Sequence, residues 1–519
     1  MGELEDTYQK DIKEIKEWWA MDHKKHLTRP YTAEEVAQFR NSVKTDYLSS
    51  IQARKLWKTL NSYRAAKEPL MTVGCVEPLL ASQMSRAGLE CVYVSGGVSG
   101  LTQVEEPGVD HADYPWDTVP RVVNRIVKSQ MWRDRTQRQH LLSLSEEERK
   151  TYPQFDFLLP IIADGDMGFG GVTTIAKCTK VFVEAGVAMF HLDDLAIGLK
   201  KFTQGIGRTI IPTSEYLKRL TAARFQIDVM GADTLLMSRI DSYQCGFITS
   251  VFDARDHKYV MGSTNPDIAP LIKVLADARQ AGESIGAAKL KWFKDAAVMT
   301  FDEAAEKDLS ADEFAAYSKL IDGDKFASLT KRRKYAKEAA PEKTIFFDWD
   351  DGRNSYGHYL FKQCIESVID RAIAALPLTD TTWGRVDAPI PADVEKFHVE
   401  LSKVSPGRVF GFGYVGAYNF AKAGYTEEQV KNFHNDLAEM GAIWQVQPIF
   451  AIQGINMFNN EFLNMWKKEG IFGYARDITK KAEDPAPFKP GAFASWGGGY
   501  LADGFIDITD ANDHQIPLE

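Results

Sequence analysis

From Met71 onward the chain alternates short β-branched or apolar runs with amphipathic segments of helical length, and this alternation constrains the fold more than any other feature. Strands joined only through helices pair in parallel, because a helix-length crossover returns the chain to the same end of the sheet. The runs are Met71 to Gly74, Cys91 to Ser95, Leu158 to Ala163, Ala188 to Leu192, Thr234 to Arg239, Thr381 to Val386, Arg408 to Gly413 and Ile443 to Ile449. Segments such as Thr173 to Ala185 and Thr426 to Met440 supply the crossovers. Eight such repeats favour a closed barrel, and no GxGxxG follows the first run to point to an open dinucleotide-binding sheet. The expected fold is α/β: a (β/α)8 TIM-type barrel with an inserted helical subdomain and helical N- and C-terminal extensions.

The expected boundaries follow from changes of texture. Residues 1–66 are polar and helical, 67–264 hold the first part of the barrel and 346–455 the second. The gap between the fifth and sixth strands is too long for one crossover; 265–345, rich in Ala, Lys, Asp and Glu at helical spacing, reads as the inserted subdomain. Residues 456–519 form a helical tail. A net charge of −10 on 519 residues argues against nucleic acid or an anionic membrane as partner, while leaving room for a small anionic substrate in a local basic pocket. Five scattered cysteines give neither a disulfide framework nor a CxxC metal signature. No run approaches a membrane span, and the first residues have neither an apolar signal core nor a transit-peptide bias. The chain ends in Gln515-Ile-Pro-Leu-Glu519, which is no peroxisomal tripeptide. Cytosol is therefore the default compartment, with mitochondrial and peroxisomal import left open.

Barrel chemistry sits at the C-terminal ends of the strands. After the third strand comes Asp164-Gly-Asp166-Met-Gly-Phe-Gly-Gly171, after the fourth His191-Leu-Asp193-Asp194, and Asp110 lies in the long loop after the second. Carboxylates converging without Cys or His partners suit a hard octahedral cation, Mg²⁺ or the similar Mn²⁺. The plainer alternative is that Asp164 and Asp166 cap the following helix. Arg239, in Met237-Ser-Arg239-Ile-Asp241, would clamp the carboxylate of a 2-oxo acid; alternatively it forms a structural Arg–Asp pair at the barrel mouth. Ser95, Gly96 and Gly97 could offer backbone N–H groups to the same ligand.

Together these stretches resemble the isocitrate lyase family, in the isocitrate lyase and phosphoenolpyruvate mutase superfamily, and most closely its fungal-type members. The passages that carry the resemblance are Val92-Tyr-Val-Ser-Gly96, Glu106-Pro-Gly-Val-Asp110-His-Ala-Asp-Tyr-Pro115, Pro160-Ile-Ile-Ala-Asp-Gly-Asp166, Gly262-Ser-Thr-Asn-Pro-Asp267 and Phe347-Asp-Trp349, and the likeness spans roughly residues 5–475. It implies a magnesium-dependent carbon–carbon lyase that cleaves isocitrate or 2-methylisocitrate to succinate and a 2-oxo acid, and a homotetramer with exchanged C-terminal helices. Asp110 and Asp164 match the family's metal-site aspartates, and Asp166 and Asp193 its acidic residues acting on the metal or its waters. Ser95, Gly96 and Arg239 match oxo-acid-binding positions, Gly97 replaces a tryptophan, and Lys200 and Lys201 match the start of the catalytic loop.

The succinate half departs. The family's Lys-Lys-Cys-Gly-His is here Lys200-Lys201-Phe202-Thr-Gln204, and a phenyl ring at Phe202 cannot exchange a proton. Its Trp-Met-Glu is Trp383-Gly384-Arg385, which exchanges a carboxylate for a cation; Arg385 would bind a differently placed carboxylate or pair with Asp387 or Glu395. Its Asn-x-Ser-Pro-Ser segment becomes Gly413-Tyr-Val415-Gly-Ala417, and a threonine becomes Pro448. Each lost donor was worth about 1–3 kcal/mol toward a charged partner. The first expectation is therefore a divergent Mg²⁺-dependent lyase acting on an aldol-type adduct of glyoxylate, pyruvate or oxaloacetate, with a second fragment other than succinate. Arg239, Asp166, Asp193 and Lys201 are its catalytic candidates, and its proton comes from a metal-bound water, or from Tyr414, Tyr418 or Gln204. The second is a pseudoenzyme with an assembly or regulatory role; a true isocitrate or 2-methylisocitrate lyase ranks third. Assayed with isocitrate and Mg²⁺, the protein should release no detectable glyoxylate; turnover comparable to that of the family would show that Phe202 and Arg385 do not block the proton step.

Overall fold

The computed structural model describes residues 2–199, 208–385, 391–414, 420–480 and 499–510. Eight parallel strands form its centre: β1 (Leu70–Val73), β2 (Val92–Val94), β3 (Ile161–Asp164), β4 (Met189–Asp193), β5 (Leu235–Ile240), β6 (Thr381–Gly384), β7 (Phe410–Gly413) and β8 (Trp444–Gln447). Each pairs with its sequential neighbours and β8 returns to β1. A Gly74–Tyr93 bridge, with Cys75 N–H donating to the Tyr93 carbonyl at 2.8 Å, joins β1 to β2 and closes the barrel. The expected fold class is what forms. Two boundaries shift for one reason: Pro160 and Pro448 have no N–H to donate, so β3 begins at Ile161, with Pro160 contributing only its carbonyl to Val92 N at 3.0 Å, and β8 stops at Gln447.

Alternate residues of each strand face opposite sides. The outward set, including Val92, Ala163, Phe190, Leu236 and Phe412, packs against the crossover helices, among them Val172–Ala185, Thr213–Met230, Ile365–Ala375 and Glu427–Glu439. The inward set, including Tyr93, Ile162, Met189, Met237, Trp383 and Trp444, fills the barrel, and Ala53, Leu56 and Leu60 of the helix Leu48–Ala66 seal its N-terminal end. The preceding N-terminal segment is tied to that end by a buried ion pair, Arg29 Nε lying 2.6 Å from Asp228 Oδ2, and by a hydrogen bond between His26 Nε2 and Asp380 Oδ1 at 3.2 Å.

Five helices between Leu271 and Ala339 lie between β5 and β6, around apolar clusters centred on Phe301, Tyr317 and Phe347 and on Leu271 and Trp292. Three short strands at Thr209–Ile210, Phe247–Ile248 and Tyr359–Leu360 make a small separate sheet. After β8 comes the long helix Phe450–Tyr474, which breaks its helical geometry at Gly470 and leaves Leu463, Phe472 and Trp466 exposed. No described helix is long and apolar enough to cross a membrane.

Between β6 and β7, the helix Pro391–Val404 buries His398 against Phe397 and Phe410, with Nδ1 hydrogen-bonded to the Val394 carbonyl at 2.8 Å. Burial pushes this imidazole down to about 4. Below pH 6.5 the unfolded chain takes up a proton that the folded protein refuses, so stability is full above that pH and falls as pH drops toward 4. At about 1.4 kcal/mol per pKa unit the loss at pH 4 is on the order of 3 kcal/mol. In denaturant titrations between pH 7 and pH 4, His398→Leu should show a correspondingly shallower loss than the unsubstituted protein.

Candidate active site

The chain turns sharply at the end of β3. Asp166 takes a positive φ of 46°, and both oxygens of the Asp164 carboxylate receive backbone N–H groups: Asp166 N at 3.0 Å on Oδ1 and Gly96 N at 3.0 Å on Oδ2. The capping alternative does not hold, since the helix Val172–Ala185 begins at Gly171 with no side-chain cap and both aspartates are buried elsewhere. Gly96 is required here. A Cβ on it would lie 2.1 Å from Tyr114 Oη and 2.6 and 2.9 Å from carboxylate oxygens of Asp166 and Asp164. Ser95 caps the helix Gly96–Thr102, its Oγ accepting from Val98 N at 3.5 Å, and Gly97 is buried in that helix's first turn.

Strand register assembles the rest. Asp164 sits beside His191, and Asp193 beside Arg239. Asp164, His191 and Asp193 each offer a ligand atom within 4.8 Å of the others. His191 corrects the expectation of a cluster without histidine: alternation along β4 turns Met189, His191 and Asp193 to the same interior side. Its Nδ1 lies 3.2 Å from Asp193 Oδ1, and its Nε2 lies 3.0 Å from Tyr93 Oη and 3.6 Å from Asp164 Oδ1. Tyr93 Oη is also 3.4 Å from Asp164 Oδ2. Asp166 and Asp110 fall outside that group of three. Asp166 is fully buried beneath Gly96, whereas Asp110 is half-buried in its loop and accepts from Ala112 N at 2.9 Å.

Charge in this interior is tightly constrained. Burial, and then the neighbouring Asp193 carboxylate, push Asp166 well above the usual carboxylate range. Burial also raises Asp193, against the attraction of Arg239. Burial disfavours the Arg239 cation too, but Asp193, Asp241 and Asp164 outweigh it and hold the guanidinium charged. Buried carboxylates that repel one another in this way suit a bound cation.

Arg239 forms the structural pair named as its alternative role: Nε and Nη2 donate to Asp241 Oδ1 and Oδ2 at 2.9 and 3.2 Å. Its Nε also lies 3.5 Å from Asp193, its Nη1 3.9 Å from Asp164, and its guanidinium sits 4.6 Å from the ring centre of Trp383. Arg385 Nη1 reaches the same Asp241 Oδ2 at 3.1 Å, on β5's exit loop; of the two partners named for it, Asp387 lies outside the described residues. Beneath them Asp194, pushed up to about 6 by burial against the pull of Arg371, accepts from Asp241 N at 2.8 Å.

Gly413 and Gly74 have steric explanations, whereas nothing in the structure explains the proline at 448. A Cβ at Gly413 would meet the Trp383 indole at 2.2 Å, so the ring that carries Arg239 occupies the space of a larger residue. The Pro448 carbonyl presses to 1.9 Å from where a Gly74 Cβ would be. Tyr414 turns out to be a poor proton donor, because it packs against Phe412 and Phe433 on the helix side and donates to Gln445 Oε1 at 2.5 Å. Lys200, Lys201, Phe202, Gln204, Asp387, Val415, Ala417 and Tyr418 lie outside the described residues.

Gly96→Ala should therefore cost about 1–3 kcal/mol by overpacking, since the turn and both aspartates bound the added methyl. Denaturant unfolding of the purified variant measures this, and unchanged stability would show that the cradle around Gly96 is looser than described.

The family model for the isocitrate lyase family matches residues 11–510. A mitochondrial 2-methylisocitrate lyase of Schizosaccharomyces pombe is 48% identical over 512 residues, which is 98% of each chain. A mitochondrial 2-methylisocitrate lyase of Hypocrea atroviridis is 33% identical, covering 99% of this chain and 93% of its own, and an isocitrate lyase of Oryza sativa subsp. japonica is 32% identical, covering 92% and 86%. This chain belongs to the isocitrate lyase family.

Proposed function

We propose that the protein is a divalent-metal-dependent lyase that breaks a carbon–carbon bond and releases a methyl-bearing 2-oxo acid, with 2-methylisocitrate as the first substrate to test. The observation that carries this is the Asp164, His191 and Asp193 group beside Arg239, which supports a site for a metal and an oxo acid. Gly97 stands where the resemblance leads one to expect a tryptophan, and the smaller residue suits an oxo acid that carries a methyl group. The names of two relatives move 2-methylisocitrate up from third place in the ranking drawn from sequence. Those names also favour mitochondria over the cytosolic default.

Asp164 and Asp193 would hold the metal, Mg²⁺ by the hardness of its oxygen ligands, with Asp166 and Asp110 ordering its surroundings. Bound there, the ion would polarise the oxygens of the oxo acid. Arg239, oriented by Asp241 and Trp383, would fix the carboxylate. In the retro-aldol step the substrate hydroxyl loses its proton and becomes the new carbonyl, while the pair from the broken C–C bond passes to the second fragment and is protonated there. Tyr93, whose Oη lies 3.4 Å from Asp164 Oδ2, and Asp166, raised by burial, are two protonated groups in this interior suited to supply that proton. Exposed apolar residues along Phe450–Tyr474 suit a helix exchanged between subunits of a tetramer.

One observation favours a second reading: Arg385, buried on Asp241, replaces the family's carboxylate and suits a second fragment other than succinate. Incubation with Mg²⁺ and 2-methylisocitrate should release pyruvate, and Asp164→Ala should lower the rate about a hundredfold or more. Absence of pyruvate with Mg²⁺-dependent oxalate binding intact would favour a different second fragment. Absence of both, measured by calorimetric titration, would favour the pseudoenzyme.

A further inference from the structure

Resting on the proposed lyase reaction, we propose that Arg208, Arg385 and Gln244 form a second anion-binding site that takes one carboxylate of the leaving fragment. Three guanidinium groups converge on a single oxygen. Asp241 Oδ2 lies 3.2 Å from Arg239 Nη2, 3.1 Å from Arg385 Nη1 and 3.9 Å from Arg208 Nη1. Arg239 also faces Asp193 and Asp164, and Arg208 Nη1 also donates to Gln244 Oε1.

Gln244 adds an independent observation. Its Oε1 accepts from Arg208 Nη1, while its Nε2 is buried with no hydrogen-bond partner among the described residues, in a side chain only 5% exposed. A buried amide donor without an acceptor costs about 1–3 kcal/mol, and a ligand oxygen would remove that cost. Burial, and then the nearby Arg385 charge, lower the Arg208 cation below the ordinary arginine range, which a second anion would relieve. Planar guanidinium groups and an amide N–H are the donors that a carboxylate takes best.

The site stands at the mouth beside β5 and β6, next to the carboxylate group of β3 and β4, and its own donors, Arg208, Arg385 and Gln244, are not among that group. Arg385 is where the family carries a carboxylate, so the pocket that faces the leaving fragment has changed sign. The substrate class that follows is a 2-hydroxy acid whose departing fragment carries its carboxylate toward Arg385.

The test uses the full chain with Mg²⁺, titrated calorimetrically with propionate and with succinate, each with and without oxalate. A carboxylate should bind, and both Arg385→Met and Gln244→Met should weaken it by about tenfold while oxalate affinity changes by less than about threefold. Should Arg385→Met fail to fold, as judged by its melting transition, the nearly isosteric Gln244→Met decides alone. Failure of the unsubstituted protein to bind either carboxylate, or unchanged affinity in the variants, overturns the inference. Loss of oxalate binding in the unsubstituted protein would overturn the proposed lyase reaction instead, and the titrations without oxalate would still decide the second site.

Discussion

The arrangement of the barrel mouth depends on one electrostatic constraint. Asp164, Asp166, Asp193 and Asp241 are all nearly inaccessible to water, and carboxylates so placed cannot stay ionised together without cations among them. Arg239 is the cation at the centre. It reaches three of the four, and it is held there by the two-point contact with Asp241 and by the face of Trp383. That indole in turn requires glycine at 413. A change at the end of β7 is therefore linked, through packing, to the charge balance at the ends of β3, β4 and β5.

Much of this was legible in the chain. The alternation of β-branched runs and amphipathic segments locates all eight strands because a barrel strand, buried on both faces, has to be apolar along its length. The ends were less legible. A run of apolar residues does not reveal where pairing stops, and at Pro160 and Pro448 it is the missing N–H that decides. The acidic residues at strand ends were legible for the same reason as the strands: a carboxylate interrupting a buried run is costly unless it has a partner.

What escaped notice lies inside the strands or depends on long-range geometry. His191 precedes Asp193 by two residues on the same face, and attention to strand ends passes over a residue one step further in. Its signal was available in the period of two. Tyr93 could have been found in the same way. The meeting of Arg208, Arg239 and Arg385 on Asp241 could not, since it joins three segments whose spacing in sequence carries no information about their distance. Tyr414 looked suited to the mouth by position, yet it follows the outward alternation of Phe410 and Phe412 and packs with the helices.

The distribution of change across the site bears on whether the protein is an enzyme. A fold kept only for assembly gains nothing from a buried carboxylate cluster, and replacing such groups with apolar residues of similar size is often neutral or stabilising. Here the costly half is intact, down to the backbone N–H groups on both oxygens of Asp164 and the glycine that lets Tyr114 approach. The altered half is not merely emptied. Arg385 engages the carboxylate of Asp241, whose backbone N–H donates to Asp194, which in turn accepts from Arg371. Loss of function alone would relax the charged residues first, because they are the most expensive to keep. Four buried carboxylates kept together with Arg239 and Arg385 therefore support the proposed lyase over a chain kept for assembly alone.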